Sequence, residues 1–275
     1  MSDKLFQFGL IAMPENQQQW LGLARRAEEL GYTALFMADG LRTPSPFPSL
    51  ALAAGTTTTL RVGTWVLASP LRPPRLAARE AHTLSALSGG RFDFGIGTGR
   101  PEVADDAVNL LGQPRLSPAD RLAQVEQTID ELRALEGDGR HTPVVIAAGG
   151  PKARALAAAR ADRVTIAAGP FVGREELAAL IAEVRELAGD RGDQIEFAAP
   201  VFVVGDKEEP FVRRFLGTDA RTLIERDSLM VLHGSPREMA DELLRRRETL
   251  GISYVTVSGF FAEEFAPVAE LLAGR

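Results

Sequence analysis

Short, nearly continuous apolar runs alternate along this chain with longer stretches whose apolar positions recur every three to four residues. The first kind suits strands buried on both faces, and the second suits amphipathic helices that cover them. The pattern predicts eight strands, at residues 4–12, 34–38, 61–68, 91–97, 143–148, 163–168, 195–204 and 253–258. Between them it predicts helices at 15–30, 74–87, 151–161, 174–189 and 261–273, with two more opening at Ser117 and Ser235. Helix 15–30 sets Trp20, Leu23, Ala24, Ala27 and Leu30 on one stripe and stops at Gly31. Ser117-Pro118-Ala119-Asp120 and Ser235-Pro236-Arg237-Glu238 share one start signal. Each has a serine cap, a proline in the first turn and an acid three residues on. Residues 206–231 show no clear period and have room for one irregular helix.

Residues 30–39 and 250–258 echo each other as a helix end, a glycine and a buried strand. No Pro- or Ser-rich linker and no low-complexity run divides the chain. Eight strands with crossover helices in roughly 250 residues match a single α/β domain, a (β/α)8 TIM barrel spanning residues 1–275.

Composition narrows the chemistry. Apolar residues make up 45% of the 275 positions, enough for a large core. A net charge of −6 argues against nucleic acid as a partner. With no cysteine and three histidines, disulfides, thiolate metal sites and cysteine nucleophiles are excluded, and no metal spacing appears. A bound cofactor is therefore the expected carrier of any chemistry. The apolar stretch at 5–13 is interrupted by Gln7 and ended by Pro14, too short for a signal peptide core or a membrane span. The expectation is a soluble cytoplasmic protein acting on a small molecule.

In a barrel of this kind, function sits where the strands end. Those ends read Met13; Asp39-Gly40; Ala68-Ser69-Pro70; Gly97-Thr98-Gly99-Arg100; Gly149-Gly150-Pro151-Lys152; Ala167-Ala168-Gly169; and Ser258-Gly259. Such a mouth has room for a large flat ligand and offers it backbone N–H groups. Gly149-Gly150 leads straight into a helix, so its amides and the helix dipole suit a phosphate, with Lys152 or Arg154 beside it. The same glycines equally suit a tight turn. Gly95-x-Gly97-x-Gly99 lacks the dinucleotide spacing and the acid that would hold a ribose. Asp39 ends a buried apolar strand, where a charge is costly; it is a site acid or a turn cap. Glu102 is the candidate general acid at the rim, or a loop surface carboxylate.

Residues 84–99, Leu84-Ser85-Ala86-Leu87-Ser88-Gly89-Gly90-Arg91-Phe92-Asp93-Phe94-Gly95-Ile96-Gly97-Thr98-Gly99, resemble the hallmark of the luciferase-like monooxygenase superfamily. So do Ala27-Glu28-Glu29-Leu30-Gly31-Tyr32 with the strand ending in Ala38-Asp39, the Ala147–Ala153 turn with its helix, and Gly234–Glu238 with Gly251. The resemblance runs from about residue 5 to 273 and itself implies the barrel. It further implies FMN or the deazaflavin F420 at the mouth. With F420 the reaction would be hydride transfer at the deazaflavin C5; with FMN, oxygen activation by reduced flavin.

Gly97-Thr98-Gly99 followed closely by an acid resembles the F420 branch, and Arg42, Arg72, Arg75, Arg79 and Arg100 are candidates to meet that cofactor's acidic tail. Asp39 maps onto the family acid beside the cofactor ring, and the histidine that often follows it is replaced by Gly40. That departure keeps open a barrel that binds cofactor without turnover. The family also implies a non-proline cis peptide at the end of the third strand, around Ala68-Ser69. Trp65 on that strand is core, pocket wall or both. His82 reads as a helix-surface or packing residue, His141 as exposed, and His233 as a residue that could approach the mouth. The chain is short for the family, which implies reduced insertions. Segments 101–116 and 206–231 remain as lids, and a homodimer would form through the helices beside strands two and three.

Overall fold

The computed structural model describes residues 4–207 and 209–275. Its elements begin with β1 (Gln7–Ile11), α1 (Gln17–Glu29), β2 (Ala34–Met37), α2 (Pro46–Thr56), β3 (Arg61–Thr64), β4 (Leu67–Ala68) and α3 (Pro74–Leu87). There follow β5 (Phe92–Gly97), α4 (Pro101–Leu111), α5 (Pro118–Glu136), β6 (Val144–Ala148), α6 (Pro151–Arg160), β7 (Arg163–Ile166) and α7 (Arg174–Ala188). The last third holds β8 (Glu196–Val201), β9 (Val203–Val204), α8 (Pro210–Leu216), α9 (Ala220–Glu225), β10 (Val231–Leu232), α10 (Pro236–Leu250), β11 (Ile252–Ser258) and α11 (Ala262–Leu272).

The main sheet runs β3-β2-β1-β11-β8-β7-β6-β5-β4, all parallel, and a further β3–β5 pairing closes it. The third stave is split into β3 and β4 around Trp65 and Val66, so the eight expected staves form one (β/α)8 barrel. The cap signals act as their residues require. Ser117 and Ser235 each accept the backbone N–H three residues on, and the acid at that position reaches back to the serine N–H.

The pattern departs from the structure at three places. Helix α2 was not expected. Its buried stripe is regular (Pro46, Ser49, Leu50, Ala53 and Ala54), but the exposed face carries Ala51, Leu52 and Gly55, so polarity does not mark the helix. Segment 101–116 contains helix α4, which carries Leu110 and Leu111 exposed at its end and buries little besides Ala107. Segment 206–231 holds two short helices instead of one. Gly217 stops α8 at φ 69°, and Asp219 starts α9 by accepting the Thr222 N–H.

Glycine at inward positions makes the barrel interior possible. A Cβ on Gly9 would lie 2.5 Å from the Phe36 ring, and one on Gly63 would lie 2.6 Å from it. Phe36 therefore occupies the volume those residues vacate, tilted against Trp65 and edge-on to Tyr254 at centroid distances of 5.0 and 6.0 Å. Toward the N-terminal ends of the staves the interior turns ionic. Arg61 donates to Asp93 at 2.5 Å, Arg163 donates to Glu196 at 2.8 Å, and Arg163 also lies 3.8 Å over the Tyr254 ring. Burial pushes the Tyr254 phenol well above its ordinary pKa.

Much of the recognisable sequence serves this closed end. Arg91 donates to the carbonyls of Leu60 and Ala54, which anchors α2 and the start of β3. Glu28 accepts the N–H groups of Thr58, Thr59 and Leu60 on one oxygen. Those backbone donors, Thr59 foremost, hold its carboxyl down to about 2.

Candidate functional site at the barrel mouth

At the opposite end the inward side chains shrink. Gly97 points toward Val66 and Ala147; a Cβ there would lie 3.1 Å from the first and 3.5 Å from the second. Ile11, Trp65, Val66, Ala147 and Pro200 are only half-buried, unlike the fully enclosed Phe36 and Tyr254 beneath them. The mouth is thus an open, shallow cradle floored by aromatic rings and walled by small residues. The cis peptide lies between Trp65 and Val66, three residues before the Ala68-Ser69 position that the resemblance implied.

The strand-end residues divide into three kinds. Gly97, Ala68 and Ser69 are buried in the wall, and the Ser69 hydroxyl is committed to the Arg121 carbonyl at 3.0 Å. Thr98, Gly99, Ala168 and Gly40 are half-buried, and Met13, Arg100, Gly149, Gly150, Pro151, Lys152 and Gly169 are exposed around the rim. Helix α6 opens at Gly150 with no side-chain cap and Pro151 in its first turn. Its leading amides therefore face the mouth without an internal acceptor from a side chain. Arg154 is not beside them as a donor: it is buried and committed to the Gly149 carbonyl and to Glu183. Lys152 is the exposed cation there.

Asp39 sits at the mouth by its backbone and away from it by its side chain. The carboxylate is 1% exposed and makes a bidentate pair with Arg72 at 2.5 and 3.2 Å. Its Oδ2 also accepts the Ala68 N–H at 3.1 Å, which ties β2 to β4. Arg72 reaches on to Glu80 at 3.6 Å, and burial raises the Glu80 carboxyl despite that neighbour. Geometry thus gives Asp39 a positioning role for the wall that carries Val66 and Ala68. Glu102 is exposed in the first turn of α4.

The arginines proposed for an acidic tail are dispersed. Arg72 is spent on Asp39, Arg75 pairs with Glu131, and Arg79 is exposed on α3. Arg42 pairs with Asp106 yet stays 75% exposed beside the mouth. Arg100 stacks on Phe215 at 3.7 Å. Burial lowers the pKa of its guanidinium. His141 is exposed and lies 2.8 Å from Asp162, His233 is exposed before α10, and His82 keeps a buried Nδ1 without a partner. Among the described residues no acid or histidine cluster could hold a metal.

Sequence reasoning passed over the phenylalanines at 202, 211, 215 and 260, which meet above β8 and β11. The four-residue spacing of Phe211 and Phe215 was the available signal.

Gly40 has room for a side chain. Its backbone lies outside the left-handed region, and a Cβ would meet only Thr43 Oγ1 at 3.5 Å. Gly40→His is therefore expected to change stability by less than about 0.5 kcal/mol in thermal unfolding. A drop of several degrees in Tm would show that the position is closed to an imidazole.

Comparison with known proteins agrees with this architecture. The family model for luciferase-like monooxygenases matches residues 6–226. An F420-dependent glucose-6-phosphate dehydrogenase of Intrasporangium calvum is 33% identical over 156 residues, 46% of each chain. A 4-hydroxyprotoasukamycin monooxygenase of Streptomyces nodosus subsp. asukaensis is 34% identical over 124 residues, 43% of this chain and 32% of that one. The chain thus spans less than half the length of these two relatives. The F420-dependent tetrahydromethanopterin reductase of Methanopyrus kandleri superposes with a TM-score of 0.75 at 18% identity, covering 98% of both chains.

Proposed function

Because this chain belongs to the luciferase-like monooxygenase family, we propose that it is a deazaflavin-dependent oxidoreductase, binding F420 at the mouth and exchanging a hydride with a small organic substrate. The observation that carries the reading is the cradle itself: Gly97, Val66 and Ala147 around an open floor, beside the uncapped start of α6. This set fits a flat tricyclic ring with a phosphorylated tail. The bound deazaflavin supplies hydride exchange at its C5.

The chain's own residues do the rest. Val66 and Ala68, held by Asp39 through the Ala68 N–H, would back the ring. The amides at Gly149, Gly150 and Lys152 and the Lys152 ammonium would take the phosphate. Arg42 and Arg100 would face the anionic tail. Glu102 at the rim would exchange the substrate proton. An acidic tail is the reason to favour F420 over FMN, since two exposed arginines stand on the α4 side of the mouth. The alternative of an FMN-dependent monooxygenase draws on the resemblance to the 4-hydroxyprotoasukamycin monooxygenase. A non-catalytic cofactor carrier draws on Gly40. A homodimer acting in the cytoplasm completes the proposal, with the oligomer read by analytical ultracentrifugation.

Titration with F420 and with FMN, followed by visible absorption, decides among these. F420 binding with reduction by candidate donors is expected. Tighter binding of FMN would favour the monooxygenase, F420 binding without turnover would favour the carrier, and binding of neither would overturn the reading. Gly150→Asp sharpens the test. The N-cap has extended backbone and nothing within 4 Å of a Cβ. The carboxylate should cap α6 and add a few tenths of a kcal/mol. It should also repel the phosphate, weakening cofactor binding by roughly tenfold or more. Unchanged affinity would place the phosphate elsewhere.

A further inference from the structure

The mouth is bridged from one side to the other. Phe202 follows β8 and Phe260 follows β11, two neighbouring staves, while α8 supplies Phe211 and Phe215 one turn apart. Their rings form one connected set, with centroids 5.2 Å apart for Phe202–Phe215, 5.6 Å for Phe211–Phe215 and 5.5 Å for Phe211–Phe260. Arg100 leaves the mouth after β5, and the order β5-β6-β7-β8-β11 puts that stave across the barrel from β11. Even so, the Arg100 guanidinium lies 3.7 Å from the Phe215 centroid. Helix α8 must therefore reach over the opening to touch the far rim.

These rings also keep surface in contact with water, with Phe260 55% and Phe215 39% exposed. Exposed, mutually packed aromatic surface at a ligand-sized mouth has a recognition role more often than a structural one. Two of the segment's cations are paired, Lys207 with Glu209 at 2.7 Å and Arg213 with Asp219 at 3.3 Å, and Arg214 on α8 is exposed. The rings are the apolar surface that the segment leaves exposed beside the ends of β8 and β11.

We propose that α8 is a lid latched to the far rim by Arg100 on Phe215, and that its phenylalanine wall selects a neutral, planar aromatic substrate. The proposal rests on the oxidoreductase reading, because it names the substrate class of that same site. Flat rings are favoured over saturated ones because edge and face contacts with phenylalanine add to simple burial. The latch seats the Arg100 guanidinium over the Phe215 ring, and a cation over a ring face is held more strongly when partly desolvated.

A matched pair of probes tests the wall. Naphthalene-2-methanol and decahydronaphthalene-2-methanol have the same carbon skeleton and polar group and differ in ring planarity. Calorimetric titration of the full chain, with and without F420, should give at least about fivefold tighter binding of the aromatic probe. The more exposed Phe260→Ala should remove that preference while leaving Tm and F420 affinity close to the parent, and Phe211→Ala should remove it with a fall in Tm, since Phe211 packs on the core. Amide hydrogen exchange across 210–216 should accelerate at least about tenfold in Phe215→Ala.

Equal binding of both probes, or a preference that survives both alanine variants, would overturn the wall. Unchanged exchange in Phe215→Ala would overturn the latch. Concentration-dependent self-association abolished by Phe260→Ala would also overturn the proposal, by making the rings a contact between copies. If F420 fails to bind while the probes still discriminate, the oxidoreductase reading falls and the wall stands. If F420 binds and the probes do not discriminate, only the wall falls.

Discussion

Asp39→Ala is expected to destabilise the protein by about 3–5 kcal/mol, because it strands a buried positive charge. Arg72 is 15% exposed and gives two hydrogen bonds to this carboxylate. The substitution leaves that guanidinium with the more distant Glu80 at 3.6 Å and the Phe47 ring at 5.8 Å, and it leaves the Ala68 N–H without its acceptor. In a chain of this size the loss corresponds to a fall in Tm of roughly 10 °C. The double variant Asp39→Ala/Arg72→Met should recover a good part of it, since no charge is then stranded. The comparison separates two roles for Asp39. If its carboxylate served mainly to touch the cofactor, Asp39→Ala would lose cofactor affinity at nearly unchanged Tm. The clamp requires stability to fall first and cofactor affinity to follow as the wall at Val66 and Ala68 loosens.

An effect of the same size is expected at the closed end. Asp93 is 1% exposed by its side chain; it accepts from Arg61 at 2.5 and 3.1 Å and lies 3.5 Å from Arg163. Asp93→Ala would take from Arg61 the carboxylate it donates to, while Arg163 keeps Glu196 on the neighbouring stave. The expected loss is again about 3–5 kcal/mol by urea denaturation. Because this floor lies below Phe36 and Tyr254, the folded fraction should bind F420 as the parent does. Cofactor affinity that fell with Asp93 would show that the ionic floor reaches the mouth, against the layering of the interior.

The two aspartates show how far the chain could be read without coordinates. Both stand in stretches that carry the family resemblance, and the sequence offers Asp39, not Asp93, as a site residue. Asp93 proves to be inward at the closed end, where resemblance marks barrel construction. Asp39 lies at the open end but turns its carboxylate away from the cradle. Strand period places a residue along its stave, whereas the direction of a charged side chain depends on which cation the rest of the fold brings to it. Arg72 is 33 residues from Asp39 in sequence, and nothing local joins them. The same limit hid the aromatic wall: Phe202 and Phe260 are far apart in the chain and meet because β8 and β11 are neighbours in the barrel.

The sequence alone determined the eight staves, most of the covering helices, the capped starts at Ser117 and Ser235, and the small residues ringing the mouth. These follow from periodicity, end signals and side-chain size, all of which act over a few neighbouring residues. Only the tertiary structure decided that Arg72 neutralises Asp39, that Arg154 is withdrawn from the α6 start, and that Arg100 reaches Phe215. Those pairings depend on closure of the barrel, which brings distant residues within hydrogen-bonding and stacking range. Burial then makes each pairing costly to break.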